Sequence, residues 1–428
     1  MADAVLSAGI FLAAGLRTPF AKIDAQLAQT DVFGLSVPVV QAMVGKLQSG
    51  KPDLVVWGSV VPNLGWSNLA REICLEAKID PTIAAFTTIL ACGTSMVGVF
   101  EAAGMLDGRG RDLAIVGGVE SMSHTQIGLG RRLSDWLRHV VEARSFRQRA
   151  HALATIRPRD IRLHIPTVTN RATGKSMGEH TEEMAKTWHI ARQPQDEIAL
   201  ASHQRAARGW EQGFFDDLVI PIGAVKRDAM IRPDTSLEKL SKLKPVFDRS
   251  SGQGSLTAGN STLLTDGSAG VFVATEKGLA RLSSSVPRVK LVDWELGAVD
   301  IWHEGLLMWP AYGIPRLLAR HDMKYADLAL WEIHEAFAAQ VLCHITALQD
   351  RAFLRDKAGV DRDFGPFPIE RMNPHGGSVA IGHPFAATGA RILSQAIKEL
   401  AAMPSGSRAI VSICTDGGEG TVALLEAV

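Results

Sequence analysis

Four segments of the chain hold residues that could act as nucleophile, acid or base. One of them, residues 89–96, places Cys92 just before a stretch with helical periodicity. A thiol at a helix start meets unpaired backbone N–H groups and the positive end of the helix dipole, which favour its thiolate form. Cys92 is therefore a candidate nucleophile, although a cysteine in such a place can also be a small buried apolar residue.

The second and third segments are loops rich in glycine. His383 follows several glycines between residues 376 and 382, which allow close backbone approach, and a histidine there could take a proton from a nearby thiol. Cys414 ends an apolar run and precedes the turn at 415–420, where a second thiol could act as acid or base. Taken alone, a structural histidine and an ordinary glycine turn explain these segments as well.

The fourth segment, residues 331–338, contains His334 followed by Glu335. No second histidine stands at metal-ligand spacing, so the sequence predicts no metal site. There is also no glycine fingerprint after a strand and no phosphate-binding loop, which argues against a dinucleotide or ATP enzyme.

The elements that must position these residues alternate between short apolar runs and amphipathic stretches. Strands alternating with helices indicate an α/β architecture with buried sheets. A similar series of loop, helix, strand and glycine turn begins at Cys92 and again near His383, which suggests either a duplicated domain or a chance similarity. The predicted strands are 54–58, 113–117 and 409–413, and the predicted helices are 93–106 and 386–400.

The composition is that of an ordinary globular protein. Of 428 residues, 46% are hydrophobic and 21% are charged, and the 45 basic side chains balance 45 acidic ones, which gives no general reason to bind nucleic acid. The apolar start is broken by Arg17 and Pro19 and has no basic residue before it, so we expect a first strand and turn rather than a signal peptide. Four widely spaced cysteines fit a reducing, cytoplasmic compartment.

Between about residues 122 and 250 the alternation is lost and a basic stretch appears, which leads into a polar helix predicted at 194–212. So long a connection usually has a structure and function of its own, and we interpret it as an insertion over the sheets. The basic stretch fits a membrane surface, a partner protein or a solvated face. Its arginines are Arg131, Arg132, Arg138, Arg144, Arg147, Arg149, Arg157, Arg159 and Arg162.

Taken together, the four segments resemble the thiolase family, and the resemblance covers nearly the whole chain. Four motifs in the family's order and spacing are far more specific than any one of them. The matching positions are Cys92 in the nucleophile segment, 334–337 in the Asn/His-Glu-Ala-Phe segment, 382–384 in the Gly-His-Pro loop and 414–420 in the Cys-x-x-Gly-Gly-x-Gly strand end.

The resemblance implies a duplicated thiolase fold of the α/β class, with two mixed-sheet halves between helices. The first half would span residues 1–275 and contain an inserted loop domain at about 122–250. The second half would span residues 276–428.

The resemblance also implies thiolytic cleavage of a 3-ketoacyl-CoA by coenzyme A, to acetyl-CoA and a shortened acyl-CoA. Cys92 would attack the 3-keto carbon with His383 as its base, and Cys414 would protonate the enolate and later deprotonate the incoming thiol. His383 and a water held by His334 would stabilise the enolate oxygen. The backbone N–H groups of Cys92 and Asp416 would stabilise the other oxygen.

Coenzyme A would thus be a substrate rather than a resident cofactor. Phe337 and Trp309 are the acyl-pocket candidates, and because Trp309 stands where the family usually has glycine, its indole could enter the acyl channel or pack as core. Asp416 also departs from the family, and a carboxylate there would oppose an oxyanion unless it points away. The coenzyme A residues carried over from the family are Arg232, Ala258, Thr262 and Leu264.

Within the family, His334 and the segment from about 346 to 372 look most like the β-subunit of the fatty-acid oxidation trifunctional complex. That likeness implies a homodimer or tetramer, a hydratase/dehydrogenase partner subunit and peripheral membrane contact. Two alternatives are a ketoacyl synthase-like condensing enzyme and a catalytically silent scaffold of an oxidation complex. Cys414 and the Gly-His-Pro loop favour a thiolase over the first, and the presence of all four reactive residues argues against the second.

Overall fold

The computed structural model of the protein describes residues 9–106 and 110–428. The strands are β1 (Ile10–Ala13), β2 (Ala21–Lys22), β3 (Leu54–Gly58), β4 (Ala84–Phe86), β5 (Leu113–Glu120), β6 (Gly128–Leu129), β7 (Leu163–His164), β8 (Thr265–Ala274), β9 (Arg288–Ala298), β10 (Leu328–Ile333), β11 (Arg408–Cys414) and β12 (Glu419–Ala427). A ten-stranded sheet runs in the order β10-β11-β12-β9-β1-β8-β5-β3-β4 with β2 beside β8, and β6 pairs with β7 separately. The part of the predicted first strand and turn that falls on residues 1–8 lies outside the described residues.

The helices cover both faces of this sheet. The three helices predicted at 93–106, 386–400 and 194–212 are confirmed, with ends shifted by one or two residues. In chain order the helices are α1 (Val32–Val44), α2 (Leu69–Glu76), α3 (Thr94–Met105), α4 (Arg131–Glu142), α5 (Phe146–Ala154), α6 (Met177–Thr187), α7 (Arg192–Glu211), α8 (Leu237–Ser241), α9 (Glu276–Leu279), α10 (Trp309–Arg320), α11 (Ala338–Gln349), α12 (Arg351–Asp356), α13 (Ser378–Ile381) and α14 (Thr388–Ala401).

The two ends of the sheet repeat one strand pattern. At one end, β3 and β5 are parallel, and β8 is antiparallel to both β5 and β1. At the other, β10 and β11 are parallel, and β12 is antiparallel to both β11 and β9. The ends join where β1 pairs with β9, with Ile10 opposite Leu291. The repeat supports the proposed duplication, and the strands of the two halves form one continuous sheet. The boundary between residues 275 and 276 stays a prediction.

Strands β5 and β8 of the first half are buried at every residue, which explains their runs of apolar and small residues. A strand that is covered on both faces needs apolar or small residues at every position rather than at alternate ones. The core of the molecule therefore lies on both sides of the sheet, and the helices close it off from solvent.

Helices α3 and α14 occupy equivalent places in the two halves, and they pack against each other. The backbone N–H of Ala390 donates to Ser95 Oγ at 2.8 Å. A Cβ on Gly389 would lie 2.6 Å from the backbone nitrogen of Met96, so only glycine allows this approach. Because Cys92 and His383 stand shortly before these two helices, the duplication brings both residues to one place.

The insertion between β5 and β8 has an outer and an inner part. The outer part, residues 128–164, is called the basic hairpin below; its helices α4 and α5 contain no buried residue. Trp136 Nε1 donates to the carbonyl of Ala152 at 2.7 Å and links the two helices. In the inner part, α6 and α7 pack on α11. None of the helices in the described ranges is long and apolar enough to cross a bilayer.

Candidate active site

Cys92 lies at the entrance to α3, on a short 3-10 turn formed by Ala91–Gly93. Thr94 holds this turn, because its Oγ1 accepts from the backbone N–H of Leu90 and donates to the carbonyl of Ala91, both at 2.8 Å. Ala91 has a φ of 41°, in the left-handed region that residues other than glycine rarely adopt. The strained turn holds Cys92, a half-buried residue, at the helix start.

The base predicted for Cys92 is in contact with it. His383 Nε2 lies 3.2 Å from Cys92 Sγ, although 291 positions separate the two residues. Gly382 has a φ of 112°, and the backbone N–H of His383 donates to Thr265 Oγ1 at 2.9 Å. On the other side of the ring, Nδ1 lies 2.6 Å from Thr388 Oγ1. When Nδ1 donates to Thr388, Nε2 offers its lone pair to the thiol, as a general base must.

His334 and Cys414 complete the cluster. The rings of His334 and His383 have centroids 4.3 Å apart. His334 Nδ1 lies 2.8 Å from Ser378 Oγ, whereas its buried Nε2 has no hydrogen-bond partner among the described residues. Cys414 is buried at the end of β11, close enough to Cys92 for the thiols to interact electrostatically. The four side chains predicted as catalytic thus meet in one cluster, called the catalytic cluster below.

The thiol of Cys92 and the imidazole of His383 are both neutral near pH 7. Burial raises the pKa of Cys92 to about 12, and the Asp416 carboxylate adds to this increase. Burial, followed by the Arg391 cation, lowers the pKa of His383 to about 3. Backbone N–H groups of Cys92 and Asp416 do lower the thiol pKa, but burial outweighs them. The helix-start amides thus act in the predicted direction but do not produce a thiolate, and the proton must move during attack.

Asp416 brings both a carboxylate and a backbone donor to this place. Its backbone N–H interacts with the Cys92 sulfur, as does that of Cys92 itself, so the two amides can bind an oxygen that gains negative charge there. The carboxylate Oδ1 accepts from Asn170 Nδ2 and from the backbone N–H of Gly417, each at 2.7 Å. These bonds draw the carboxylate toward the insertion, so the amide is the group that Asp416 offers to an oxyanion.

Sequence reasoning missed the residues that brace the strand end carrying His334. The buried Glu335 accepts from Ser202 Oγ and Asn373 Nδ2 at 2.7 Å and from the backbone N–H of Val379 at 3.2 Å. It thereby ties α7 and the loop entering α13 to the end of β10. The one sequence signal for this brace is the carboxylate beside His334, because a buried acid must find several donors.

A second buried carboxylate, Glu120, braces the loop after His383. Glu120 accepts from Ser59 Oγ at 2.7 Å and from the backbone N–H groups of Val60 and Ala386. A Cβ on Gly118 would lie 2.2 Å from the carbonyl oxygen of Ala386, so this loop rests directly on β5. Partners that are distant in the chain therefore fix the position of the base.

The residues carried over for coenzyme A lie in order of decreasing exposure toward the cluster. Arg232 is exposed at a cleft of about 130 Å³ that Lys239 also lines. Ala258 is exposed, whereas Thr262 and Leu264 are half-buried. Leu264 forms a β-bridge with His383, which places the inner end of this series beside the base.

The acyl-pocket candidates Trp309 and Phe337 belong to the same buried apolar cluster as Cys414. A Cβ on Gly297 or Gly420 would lie 2.3 or 2.4 Å from atoms of the indole, so Trp309 fills a hollow over these two glycines. Its Nε1 has no hydrogen-bond partner in the described part of the chain. The indole thus forms one wall of the apolar region that contains Cys414.

The cluster also has the composition of a metal site. Cys92 Sγ and ring nitrogens of His334 and His383 all lie within 4.8 Å of one another. Thiolate and imidazole are ligands that zinc prefers. The 3.2 Å hydrogen bond between Cys92 and His383 accounts for the short spacing without an ion, and the expected absence of a resident metal stays a prediction.

Comparisons with known proteins agree with this geometry. Residues 10–277 match the model of the thiolase N-terminal domain, and residues 286–427 match that of the thiolase C-terminal domain. The 3-ketoacyl-CoA thiolases of Yersinia enterocolitica and Yersinia pestis are each 37% identical to the chain, over 97% of it and 96% of their own length.

Two solved structures have the same fold. The acetyl-CoA acetyltransferase of Bacillus anthracis has a TM-score of 0.79 and 28% identity, over 98% of this chain and 99% of its own. A thiolase from Ascaris suum in complex with coenzyme A has a TM-score of 0.78 and 24% identity, over 98% of this chain and all 100% of its own. With two family models that together cover nearly the whole sequence, the chain belongs to the thiolase family of acyltransferases.

Proposed function

We propose that this thiolase cleaves 3-ketoacyl-CoA with coenzyme A through an acyl-enzyme on Cys92. The observation that carries the proposal is the 3.2 Å contact between Cys92 Sγ and His383 Nε2, which joins the two halves of the molecule. A nucleophile within hydrogen-bond distance of a neutral base is the arrangement that covalent catalysis needs.

In the first half-reaction, His383 Nε2 takes the proton of the Cys92 thiol while the sulfur attacks the 3-keto carbon. The tetrahedral adduct collapses, the bond between C2 and C3 breaks, and its electron pair stays on C2 as the enolate of acetyl-CoA. The Cys414 thiol then gives its proton to C2. Acetyl-CoA leaves, and the shortened acyl group remains on Cys92 as a thioester.

In the second half-reaction, the Cys414 thiolate takes the proton of the incoming coenzyme A thiol. The coenzyme A sulfur attacks the acyl carbon on Cys92, the bond from that carbon to Cys92 breaks, and the Cys92 sulfur recovers its proton from His383. Burial and the neighbouring Cys92 raise the pKa of Cys414, so its thiolate, once formed, is a strong base.

Negative charge develops on two oxygens, and the cluster offers two donor sets. Protonated His383 and a water held by His334 Nε2 would serve the enolate oxygen, since that nitrogen has no other partner among the described residues. The backbone N–H groups of Cys92 and Asp416 would serve the oxygen of the tetrahedral adduct.

Coenzyme A is a substrate in this proposal and no cofactor is bound permanently. Arg232 and Lys239, which share the exposed cleft, would meet its phosphates. Asp234 also lines the cleft and pairs with Lys239 at 2.7 Å, so Arg232 supplies the net positive charge that attracts a polyanion. Ala258, Thr262 and Leu264 would follow the pantetheine arm inward to His383. Trp309 and Phe337 would bound the acyl chain, on the grounds that they share an apolar cluster with Cys414.

The pathway we propose is fatty-acid β-oxidation in the cytoplasm, in line with the names of the Yersinia relatives. We also propose that the chain assembles with a second copy of itself, as a dimer or tetramer. The short strand β4 at the end of the sheet pairs only with β3 among the described strands, and Ile89 beyond it is 59% exposed. An open strand edge next to an apolar side chain is a suitable contact for another sheet.

The basic hairpin is the candidate surface for a hydratase/dehydrogenase partner subunit or for peripheral contact with an anionic membrane. Its apolar side chains are turned outward, with Phe146 87% and Val141 78% exposed. Arg144, Arg147 and Arg149 form no ion pair with any described residue. Exposed apolar side chains beside unpaired cations fit an anionic surface with an apolar layer.

Intact-protein mass spectrometry tests the proposed reaction. With a 3-ketoacyl-CoA and no free coenzyme A, we expect one adduct with the mass of the shortened acyl group on Cys92, and added coenzyme A should remove it. Decarboxylative condensation without cleavage would favour the ketoacyl synthase alternative. Absence of both adduct and cleavage would favour a silent scaffold.

A further inference from the structure

The two histidines of the catalytic cluster have hydroxyl partners in different surroundings. Ser378 Oγ lies 2.8 Å from His334 Nδ1 and also 2.5 Å from Arg391 Nη2. Ser378 and His334 are completely buried, and Arg391 is 2% exposed. Thr388, the partner of His383, has no arginine on its hydroxyl among the described contacts.

Arg391 decides the direction of the hydrogen bond between Ser378 and His334. A guanidinium can only donate, so Ser378 Oγ accepts from Arg391. The single hydroxyl proton of Ser378 then has one described acceptor within reach, His334 Nδ1. A buried donor without an acceptor is costly, so Ser378 donates to Nδ1. A neutral imidazole that accepts at Nδ1 carries its own proton on Nε2.

The surroundings also keep His334 from gaining a second proton. Burial, the His383 ring and the Arg391 cation all lower the pKa of His334. Burial lowers the pKa of Arg391 to about 10, with the acids Glu332 and Glu335 opposing, so it stays a cation near pH 7. The other titratable groups that act on His334 or Arg391 are His344, Arg17, Asp228, Glu332, Glu335 and Glu399. Burial raises the pKa values of the three glutamates.

We infer that Ser378, which accepts a hydrogen bond from Arg391, is a positioning residue that holds His334 in the tautomer with its proton on Nε2. The Nε2 atom is the one without a partner in the described structure, and one ring nitrogen of His334 lies within 4.8 Å of Cys92 Sγ and of a ring nitrogen of His383. With the proton there, it donates to an oxygen that gains negative charge, or to the water that serves it. With the proton on Nδ1 instead, it would turn a lone pair toward that oxygen, or take up one of the two protons of the water that serves it, and in both cases the oxygen would lose a donor.

His383 needs the opposite tautomer, which explains the contrast between the two hydroxyls. Its Nε2 must accept the thiol proton and release it again, so Nδ1 carries a proton both before and after the transfer. Thr388 Oγ1 therefore accepts from Nδ1 throughout, and no guanidinium donates to this hydroxyl among the described contacts. The cluster therefore pairs one histidine of fixed tautomer with one whose protonation changes during the reaction.

This inference rests on the thiolase reaction proposed above, and its test is a double-mutant cycle. In the His334 background, we expect Ser378→Ala to lower kcat for carbon–carbon cleavage about 10- to 100-fold, with the substrate KM changed less than about twofold. In His334→Asn, whose amide donor has no tautomer, we expect Ser378→Ala to cost less than about threefold. Equal losses in the two backgrounds would make Ser378 merely structural and overturn the inference.

Ser412→Ala is the matched control. Ser412 is also a buried serine in the second half, but its hydroxyl has no partner among the described residues. We expect kcat to stay within about twofold of the wild type, since no polar group loses its partner. A loss equal to that of Ser378→Ala would show that any buried serine matters here, and it would overturn the assignment.

A second readout does not depend on activity. In protein labelled with ¹⁵N-histidine, the His334 signals, identified by their absence in His334→Asn, should show a protonated Nε2 and an unprotonated Nδ1. Ser378→Ala should shift them toward a mixture of tautomers. A proton on Nδ1 in the wild type would overturn the inference even if Ser378→Ala does not fold. Failure of the wild type to cleave 3-ketoacyl-CoA would instead overturn the proposed function and leave this measurement valid.

Discussion

The catalytic cluster and the basic hairpin differ most in how their side chains are surrounded. In the cluster, His334 is 0% and Cys414 1% exposed, and buried carboxylates brace the loops on either side. In the hairpin, Phe146 is 87% exposed and neither helix buries a residue. Chemistry needs groups held by many partners, whereas association needs groups left free to meet a partner. The comparison implies that changes in one region should leave the property of the other intact.

The largest effect is expected from Cys92→Ser. A hydroxyl has a far higher pKa than a thiol and gives its proton to the same imidazole much less readily, so we expect acyl-enzyme formation to fall by more than about 10³-fold. Intact-protein mass spectrometry after addition of substrate measures it, with Cys74→Ala as control because that thiol is buried away from the cluster. An acyl adduct that persists in Cys92→Ser, or that maps to Cys74 or Cys343, would contradict the assignment.

The second prediction separates the two thiols of the cluster. In Cys414→Ala, a simple acyl-CoA should still acylate Cys92 slowly, while cleavage of the carbon–carbon bond falls by about 10²- to 10⁴-fold, since only that step needs the enolate proton. Rates of both reactions in one preparation measure the difference. Cys343→Ala, which removes another buried thiol of the second half, should leave the ratio of the two rates unchanged. Equal losses in both assays for Cys414→Ala would contradict the separate roles proposed for Cys92 and Cys414.

Trp309→Gly tests the edge of the cluster. The buried indole fills the hollow over Gly297 and Gly420, so its loss should lower the free energy of unfolding by about 3–5 kcal/mol, measured by urea denaturation. The space it leaves adjoins the apolar region of Cys414, so we also expect relatively better cleavage of long or branched 3-ketoacyl-CoAs. If stability falls but the chain-length profile stays the same, Trp309 is core and no longer an acyl-pocket candidate.

Substitutions in the basic hairpin should change binding to a surface and leave catalysis unchanged. Reversing the charges of Arg144, Arg147 and Arg149 should weaken binding to an anionic surface by about 1 kcal/mol or more for each residue. Turnover of short soluble substrates should not change. Co-sedimentation with anionic vesicles and pull-down of a hydratase/dehydrogenase subunit, each at two salt concentrations, tell the two surfaces apart, and unchanged binding in both would leave a solvated face.

The cluster could be predicted from the sequence because its residues stand at short motifs whose spacing is specific. Strand ends, glycine turns and helix starts are local features, so the elements around Cys92, His383 and Cys414 were predicted to within two residues. The hydrogen bonds that brace the cluster could not be predicted, because Glu120 and Glu335 accept them from donors far away in the chain. No local pattern marks the donors Ser202 and Asn373. The sequence shows the amides at the helix start, but the burial that outweighs their effect on the thiol pKa is visible only in the folded structure.

The smallest expected effect is that of pH on acylation. The pKa of His383 is lowered to about 3 and that of Cys92 raised to about 12, so neither group titrates in between. The charged groups that face this pair are Asp416, Glu120 and Arg391, and their effects are already part of these two pKa values. Acyl-enzyme formation in a single turnover without coenzyme A should therefore change less than about twofold from about pH 5.5 to about pH 9. A bell-shaped profile centred near neutrality would mean that a thiolate and an imidazolium coexist in the free protein. In that case the helix-start amides would outweigh burial in setting the thiol pKa of Cys92. Catalysis in the cluster would then depend on charged groups, as binding at the hairpin does.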